Sequence, residues 1–185
     1  MSSRRKRARA ETALKSHDLQ GFINEFHTES DRATAVLGAA LIDEKLLQLL
    51  QAFFVDDRAQ VDLLLETEQP LGSLGARIQI AYCLGLITRN LFETLTIIKG
   101  VRNAFAHQLH GLSFAAPTIA KECGRLRLLM QPSDYVRDSS REIFLAATLS
   151  AQFELWGMTT SLEASQRRCK TPEWTTLAKW QREPD

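Results

Sequence analysis

Apolar residues recur at three- and four-residue steps through most of the chain, and this periodicity is the feature that most limits its fold. Segments 33–54 and 89–109 both have the spacing of a helix that buries one broad face. Proline is absent before residue 70, so nothing interrupts the first long helices. The pattern predicts an all-α protein with a single helical bundle. Segment 125–130 alone has an alternative, extended interpretation.

Local signals set the expected helix bounds and turns. Ser30 or Asp31 is the expected N-cap of the second helix and Thr88 that of the fifth, and Ser139 with Glu142 has the spacing of a capping box. The turn at 69–73 is expected to be ordered, because its proline fixes φ and its glycine tolerates positive φ. Gly85 is expected inside the fourth helix, where it would let a neighbouring helix approach. The predicted helices cover 8–26, 30–54, 59–65, 74–86, 89–109, 118–126 and 139–164.

Charge is unevenly distributed along the chain. Five of its positive charges lie in the first ten residues, and the slightly acidic remainder is a poor match for a broad DNA-binding face. We therefore expect a basic arm over 1–9, one helical domain over 10–165 and a polar tail over 166–185. The arm is a candidate for contacts with nucleic-acid phosphates, with a solvated tail as the alternative. Its candidate residues are Arg4, Arg5, Lys6 and Arg7.

Composition excludes several classes of protein. A chain with 44% hydrophobic and 24% charged residues suits an ordinary globular protein and not a disordered or collagen-like one. No apolar run is long enough to span a membrane, and no secretory signal follows the basic start. Three widely spaced cysteines indicate a cytoplasmic protein and argue against a zinc site, so we expect no metal and no cofactor. Cys83 is expected to be buried, whereas Cys123 could be exposed.

The residues best suited to chemistry lie near the end of the fifth predicted helix. Asn103 and His107 are one helical turn apart, and Arg102 flanks them. An imidazole can transfer a proton near neutral pH, and a guanidinium can stabilise developing charge on a phosphate. These residue types suit metal-independent cleavage of RNA, whose 2′-hydroxyl supplies the nucleophile. The structural alternative is that Arg102 bridges helices and His107 ends one.

Two further basic residues are candidates for phosphate contact. Lys99 begins the segment that carries the motif, and Arg77 follows the turn at 69–73. Arg77 also has a structural interpretation, in which it anchors that turn. Adjacent carboxylates such as Asp56 and Asp57 are expected to face solvent and not to hold a metal.

Two resemblances connect these residues to known families. Residues 102–107, Arg-Asn-Ala-Phe-Ala-His, resemble the Arg-x-x-x-x-His motif of the HEPN superfamily. The blocks 70–77 and 82–87 resemble the mannitol operon repressor family, which itself has a HEPN-like helical bundle. Together the similarity covers 33–164, with the blocks in the expected order and spacing.

The two resemblances imply different functions. Catalytic HEPN proteins are endoribonucleases, often toxins, whose active site forms where two motif helices meet in a homodimer. This implies an RNA-cutting site with Arg102, Asn103 and His107, and we expect this function, with an antitoxin or a transcription factor as the protein partner. Mannitol repressor relatives are regulators without an obvious helix-turn-helix, which implies a non-catalytic regulator acting through a protein partner. An inactive module that only binds RNA is a third interpretation.

Overall fold

The computed structural model describes residues 26, 28–108, 110–126, 139–165 and 168–170. This part of the chain contains six α-helices and no strand, which confirms the all-α prediction. The predicted helix over 8–26, the basic arm and most of the tail lie outside the described residues, apart from Phe26. The helices are α1 (Asp31–Phe53), α2 (Arg58–Leu65), α3 (Leu74–Cys83), α4 (Arg89–His107), α5 (Pro117–Cys123) and α6 (Ser140–Ser165).

The two longest helices, α1 and α6, lie side by side and run parallel. At their first turns, the Arg141 guanidinium pairs with the Asp31 carboxylate at 2.9 Å. Beyond their last turns, the Cys169 N–H donates to the Phe53 carbonyl at 2.8 Å. Gly38 permits the close approach between these points, because a Cβ there would lie 3.1 Å from the Phe144 ring.

Helix α4 packs against both α1 and α6 and encloses the core with them. It runs opposite to α1, since Arg32 Nη2 near the start of α1 donates to the Gln108 carbonyl after the end of α4, at 2.6 Å. Full burial of a large apolar side chain contributes about 1.5–3 kcal/mol, so this core is the main source of stability. Its fully buried side chains include Ile42, Leu46, Leu49, Leu50, Leu91, Leu95, Ile98, Phe105, Phe144 and Leu155.

Helices α3 and α4 form an antiparallel hairpin in which Tyr82 stacks on Phe92, with ring centroids 4.6 Å apart. Helix α3 ends at Cys83, earlier than predicted, because Gly85 adopts φ +68°. The N–H groups of Gly85 and Leu86 then return to carbonyls in the last turn, which is a Schellman ending. Gly85 therefore terminates the helix. The predicted close approach of a neighbouring helix at Gly85 is wrong, since a Cβ there would meet no atom within 4 Å.

The predicted capping residues are confirmed. The side chains of Ser30 and Thr88 each accept from the N–H three residues further on, both at 3.2 Å. Ser139 and Glu142 form the reciprocal bonds of a capping box, also at 3.2 Å each. Local sequence thus fixes where α1, α4 and α6 begin.

Candidate functional site

The predicted motif lies on the last two turns of α4. Val101 and Phe105 are buried on the inner side of the helix, so the polar residues of the motif face outward. Arg102 and His107 are exposed and Asn103 is half-buried. Arg102 Nη1 donates to Asn103 Oδ1 at 3.1 Å. The structure therefore brings Arg102 and Asn103 together and leaves His107 at the end of the helix, open to solvent.

The segment after the motif is fastened to the start of α1. One Asp31 carboxylate oxygen accepts from the Phe114 N–H at 2.9 Å, and the other accepts from Arg141 Nη1 at 2.9 Å. A single carboxylate thus joins the first turn of α1, the loop before α5 and the first turn of α6. Because Arg32 also holds the Gln108 carbonyl, the end of α4 has a fixed position relative to α1.

Arg141 is a structural clamp at this end of the bundle. Besides the Asp31 pair, its Nη2 donates to the carbonyls of Phe26 at 2.7 Å and Glu29 at 2.5 Å, and to Thr34 Oγ1 at 2.9 Å. Carbonyls that precede a new helix need such donors, because they have no partner of their own in a regular hydrogen-bond ladder. Sequence reasoning missed this residue.

Arg77, one of the candidate phosphate contacts, is only 6% exposed. Its Nε donates to the Leu71 carbonyl at 3.1 Å, and its Nη2 donates to the Leu65 carbonyl at 2.5 Å. Nη1 lies 2.8 Å from Asp43 Oδ1, as an ion pair outside hydrogen-bond alignment. These contacts correspond to the anchoring interpretation. A phosphate contact by Arg77 stays an untested prediction.

The glycine of the turn that Arg77 anchors has a role other than the predicted one. Positive φ is found at Gly85 and Gly111 among the described glycines, and not at Gly72. Instead, a Cβ at Gly72 would collide with the backbone carbonyls of Glu66 and Thr67. Close approach of two backbone segments therefore requires glycine at this position.

The predicted nucleic-acid contacts do not form one surface in the described part of the chain. Lys99 is half-buried on the α3–α4 hairpin, where its Nζ would lie 3.3 Å from a Cβ at Gly75. Arg77 is directed into the interior, at the turn between α2 and α3. The arm residues from Arg4 to Arg7 lie outside the described residues, so their role stays a prediction.

The predictions for Cys83 and Cys123 are both wrong. Cys83 is exposed at the end of α3, because it lies two residues, and therefore about 200° around the helix, from the buried Ala81. Cys123 is buried on the inner side of α5. Burial, helped by the neighbouring Glu122 carboxylate, raises the pKa of the Cys123 thiol to about 11. This thiol is protonated at neutral pH and is a weak nucleophile.

Sequence reasoning also missed a surface on α2. Leu63 and Leu64 are 56% and 40% exposed, although Val61 and Leu65 of the same helix are buried. Consecutive residues are about 100° apart around a helix, so three leucines in a row cannot all face one core. The run Leu63–Leu65 in a helix of eight residues is the sequence signal that identifies this surface.

A groove of about 620 Å³ lies beside α2, between α1 and the turn that Arg77 anchors. Carboxylates and amides are mixed with leucines along its wall, so the groove offers both apolar surface and hydrogen-bond acceptors. Residues that line it include Leu47, Gln51, Asp62, Leu65, Glu66 and Glu68.

The remaining sequence predictions concern metal sites and membrane-spanning helices. Within the described ranges, no group of three histidine, cysteine, aspartate or glutamate residues could hold a metal ion. Asp56 and Asp57 are both exposed, and Asp57 caps α2 by accepting from the Gln60 N–H at 3.3 Å. Over the same ranges, no helix has the length and apolar character needed to cross a membrane.

The chain matches a known family over most of its length. The model of the family described as Mannitol repressor (MtlR) matches residues 23–155. Two curated relatives are named mannitol operon repressor, one from Escherichia coli strain K12 and one from E. coli O6:H1 strain CFT073. Each is 30% identical over 99 residues, which are 51% of this chain and 51% of the relative. The match thus spans about half the length of these curated relatives.

Among solved structures, the MtlR–HPr complex from E. coli is similar to this chain. The similarity covers 74% of this chain and 92% of that chain, with 23% identity and a TM-score of 0.49.

The family match contradicts the ribonuclease prediction. The matching family and its curated relatives are named for repression of an operon and not for RNA cleavage. Within one chain Arg102 hydrogen-bonds to Asn103, and a catalytic role of Arg102, Asn103 and His107 stays an untested prediction. The toxin–antitoxin prediction depended on ribonuclease activity and is therefore also unsupported. Of the two resemblances, these matches support the one to the mannitol operon repressor family and not the one to the HEPN superfamily. Because the match covers well over half of its residues, this chain belongs to the mannitol repressor family.

Proposed function

We propose that this chain is a non-catalytic transcription regulator of the mannitol repressor type, which acts through a protein partner. The observation that carries the proposal is the family match over residues 23–155, with the two operon-repressor relatives in support. The regulated genes are an operon for the use of mannitol. The regulator acts in the cytoplasm, where that operon is transcribed.

The charge distribution favours a protein partner over direct contact with duplex DNA. Five acidic residues and one basic residue lie between positions 56 and 69, and such a cluster repels phosphates. The buried Arg77 and the clamp residue Arg141 already have internal partners, so they are engaged in holding the fold. Protein–protein contact makes use of the acidic surface and requires no basic face.

Two measurements define the assembly of this chain. The solved E. coli structure contains MtlR with HPr, so HPr is the first protein to titrate against this chain. The homodimer prediction rested on two motif helices completing a ribonuclease site, and that reason no longer applies. Light scattering of the purified chain measures its oligomeric state directly.

The proposal is tested with a reporter driven by the mannitol operon promoter, in a host whose gene for this chain is deleted. We expect reporter expression to rise on deletion and to fall again when the wild-type chain is supplied. A variant carrying Arg102→Ala and His107→Ala should repress as well as the wild type, because the regulator needs no catalytic motif. Reporter expression that does not respond to deletion would contradict the proposal.

A further inference from the structure

The outer side of α2 presents an apolar centre. Leu63 and Leu64 are adjacent in the chain, and about half of each side chain is exposed. Phe153 and Trp156 on α6 are exposed to a similar extent, so exposure alone does not distinguish α2. The difference lies in the charges that surround the two leucines. We call Asp62, Leu63, Leu64, Glu66 and Glu68 the α2 surface.

The α2 surface carries negative charge that the fold leaves unpaired. Asp62 is paired with Arg58, at 3.5 Å. Glu66 and Glu68 are exposed, and neither has an ion-pair partner among the residues that the structure describes. Carboxylates beside exposed leucines are complementary to a basic rim around an apolar patch.

An arginine of this chain already binds at the edge of the neighbouring groove. Arg168 Nη1 lies 2.6 Å from Asp56 Oδ1, and Arg168 Nη2 donates to the Gln51 carbonyl at 2.9 Å. Gln51 is also one of the residues that line the groove. The end of α1 therefore holds a guanidinium by a carboxylate and a carbonyl, which is the chemistry that a basic partner would use.

The groove has room for a further long basic side chain. Lysine and arginine have apolar stems that pack on leucine, as the partly buried Leu47 would allow, while their charged ends reach carboxylates such as Glu66 and Glu68. Arg77 lines the groove as well, but its charge is paired with an aspartate of α1 at 2.8 Å. The unpaired charge at the groove is thus acidic.

The α2 surface is held rigidly from behind. Arg77 bonds to the carbonyls at the end of α2 and in the following turn, and the Leu71 N–H donates to the Leu64 carbonyl at 2.8 Å. Gly72 brings the two backbone segments together. Because binding would order few groups here, little conformational entropy opposes it.

We infer that the α2 surface and its groove form a docking site for a protein whose contact patch is apolar and ringed by lysine or arginine. The inference rests on the proposed function, in which the chain acts through a protein partner. The exposed leucines contact the apolar patch, and Glu66 and Glu68 pair with its basic rim. A basic side chain of the partner enters the groove.

The experiment compares surface variants of the full chain in calorimetric titration with purified HPr. One double variant is Leu63→Ser with Leu64→Ser, and the other is Glu66→Lys with Glu68→Lys. The matched control on α6 is Phe153→Ser with Glu163→Lys, which changes an exposed aromatic and an exposed carboxylate away from α2. Circular dichroism and thermal unfolding verify that each variant is folded.

We expect each α2 variant to bind HPr at least about tenfold more weakly than the wild type, and the control to stay within about twofold. Raising NaCl from about 50 mM to about 500 mM should weaken wild-type binding, because salt screens the carboxylates. Unchanged binding by folded α2 variants would overturn the docking site and leave the proposed function intact.

The reporter assay separates the remaining outcomes. If HPr does not bind the wild type, loss of repression by the α2 variants and not by the control supports docking of a different protein. Normal repression by the α2 variants in that case overturns the inference. Failure of the wild type to repress overturns the proposed function, and the docking site is then judged by the titration alone.

Discussion

The two ends of α1 use charged residues in opposite ways. At its start, the Asp31 carboxylate and the Arg141 guanidinium are bonded to the chain itself on several sides. Beyond its end, Glu66 and Glu68 remain in solvent beside exposed leucines, with Arg77 holding the backbone behind them. The comparison teaches that the charges at the start of α1 stabilise the fold, whereas beyond its end Arg168 is paired with Asp56 but Glu66 and Glu68 remain available for contact.

The largest expected effect comes from removing the Arg141 contacts at the start of α1. Arg141→Ala removes one ion pair and three hydrogen bonds from a partly buried site, so we expect a loss of about 3 kcal/mol in the free energy of unfolding. Urea unfolding measures it. Arg125→Ala is the control, since Arg125 is exposed and pairs within one turn with Glu122, and should lose less than about 0.5 kcal/mol.

Arg141→Lys sharpens the same comparison. Lysine keeps the charge, but one ammonium cannot reach all the acceptors that the planar guanidinium holds, so only part of the stability should return. If lysine restored the full free energy of unfolding, charge alone, and not the several N–H donors of the guanidinium, would stabilise this end of the bundle.

Gly72→Ala disrupts the turn that supports the α2 surface, beyond the end of α1. Its Cβ would collide with two backbone carbonyls, which cannot move aside as a flexible side chain does. We expect a loss of about 2 kcal/mol in urea unfolding, within the range for overpacking. Gly100→Ala in the interior of α4 is the control, because a Cβ there would meet no atom within 4 Å, and it should stabilise the protein by about 0.5–1 kcal/mol.

The smallest effect is expected on the α2 surface itself. Replacing Glu66 and Glu68 together by glutamine should change the free energy of unfolding by less than about 0.5 kcal/mol, because exposed, unpaired carboxylates contribute little to stability. A loss comparable to that of Arg141→Ala would show that these carboxylates hold the fold, and the contrast between the two ends would fail.

Local features of the fold could be predicted from the sequence, and distant ones could not. Ser30, Thr88 and the Ser139–Glu142 pair act on neighbouring backbone groups, so their patterns were sufficient. The Asp31–Arg141 clamp joins residues 110 positions apart, and no local pattern shows that separation.

The candidate site shows the same limit more sharply. Arg102 and His107 have residue types that suit proton and phosphate chemistry, but the chemistry also requires that their side chains be held together. A single chain shows Arg102 bonded to Asn103, and it is the family match that decides against RNA cleavage. The three leucines of α2, by contrast, could be interpreted without knowing any distant contact, because helical geometry alone requires that some of them be exposed.

The parallel arrangement of α1 and α6 has a consequence for synthesis of the chain. Two parallel neighbouring helices need a long crossover connection, and here the residues that fasten their first turns are separated by 110 positions. A ribosome adds about 5–20 residues per second, so α6 emerges on the order of ten seconds after α1. Throughout that interval the apolar face of α1 lacks its main packing partner, and transiently exposed apolar surface of this kind favours aggregation of the nascent chain.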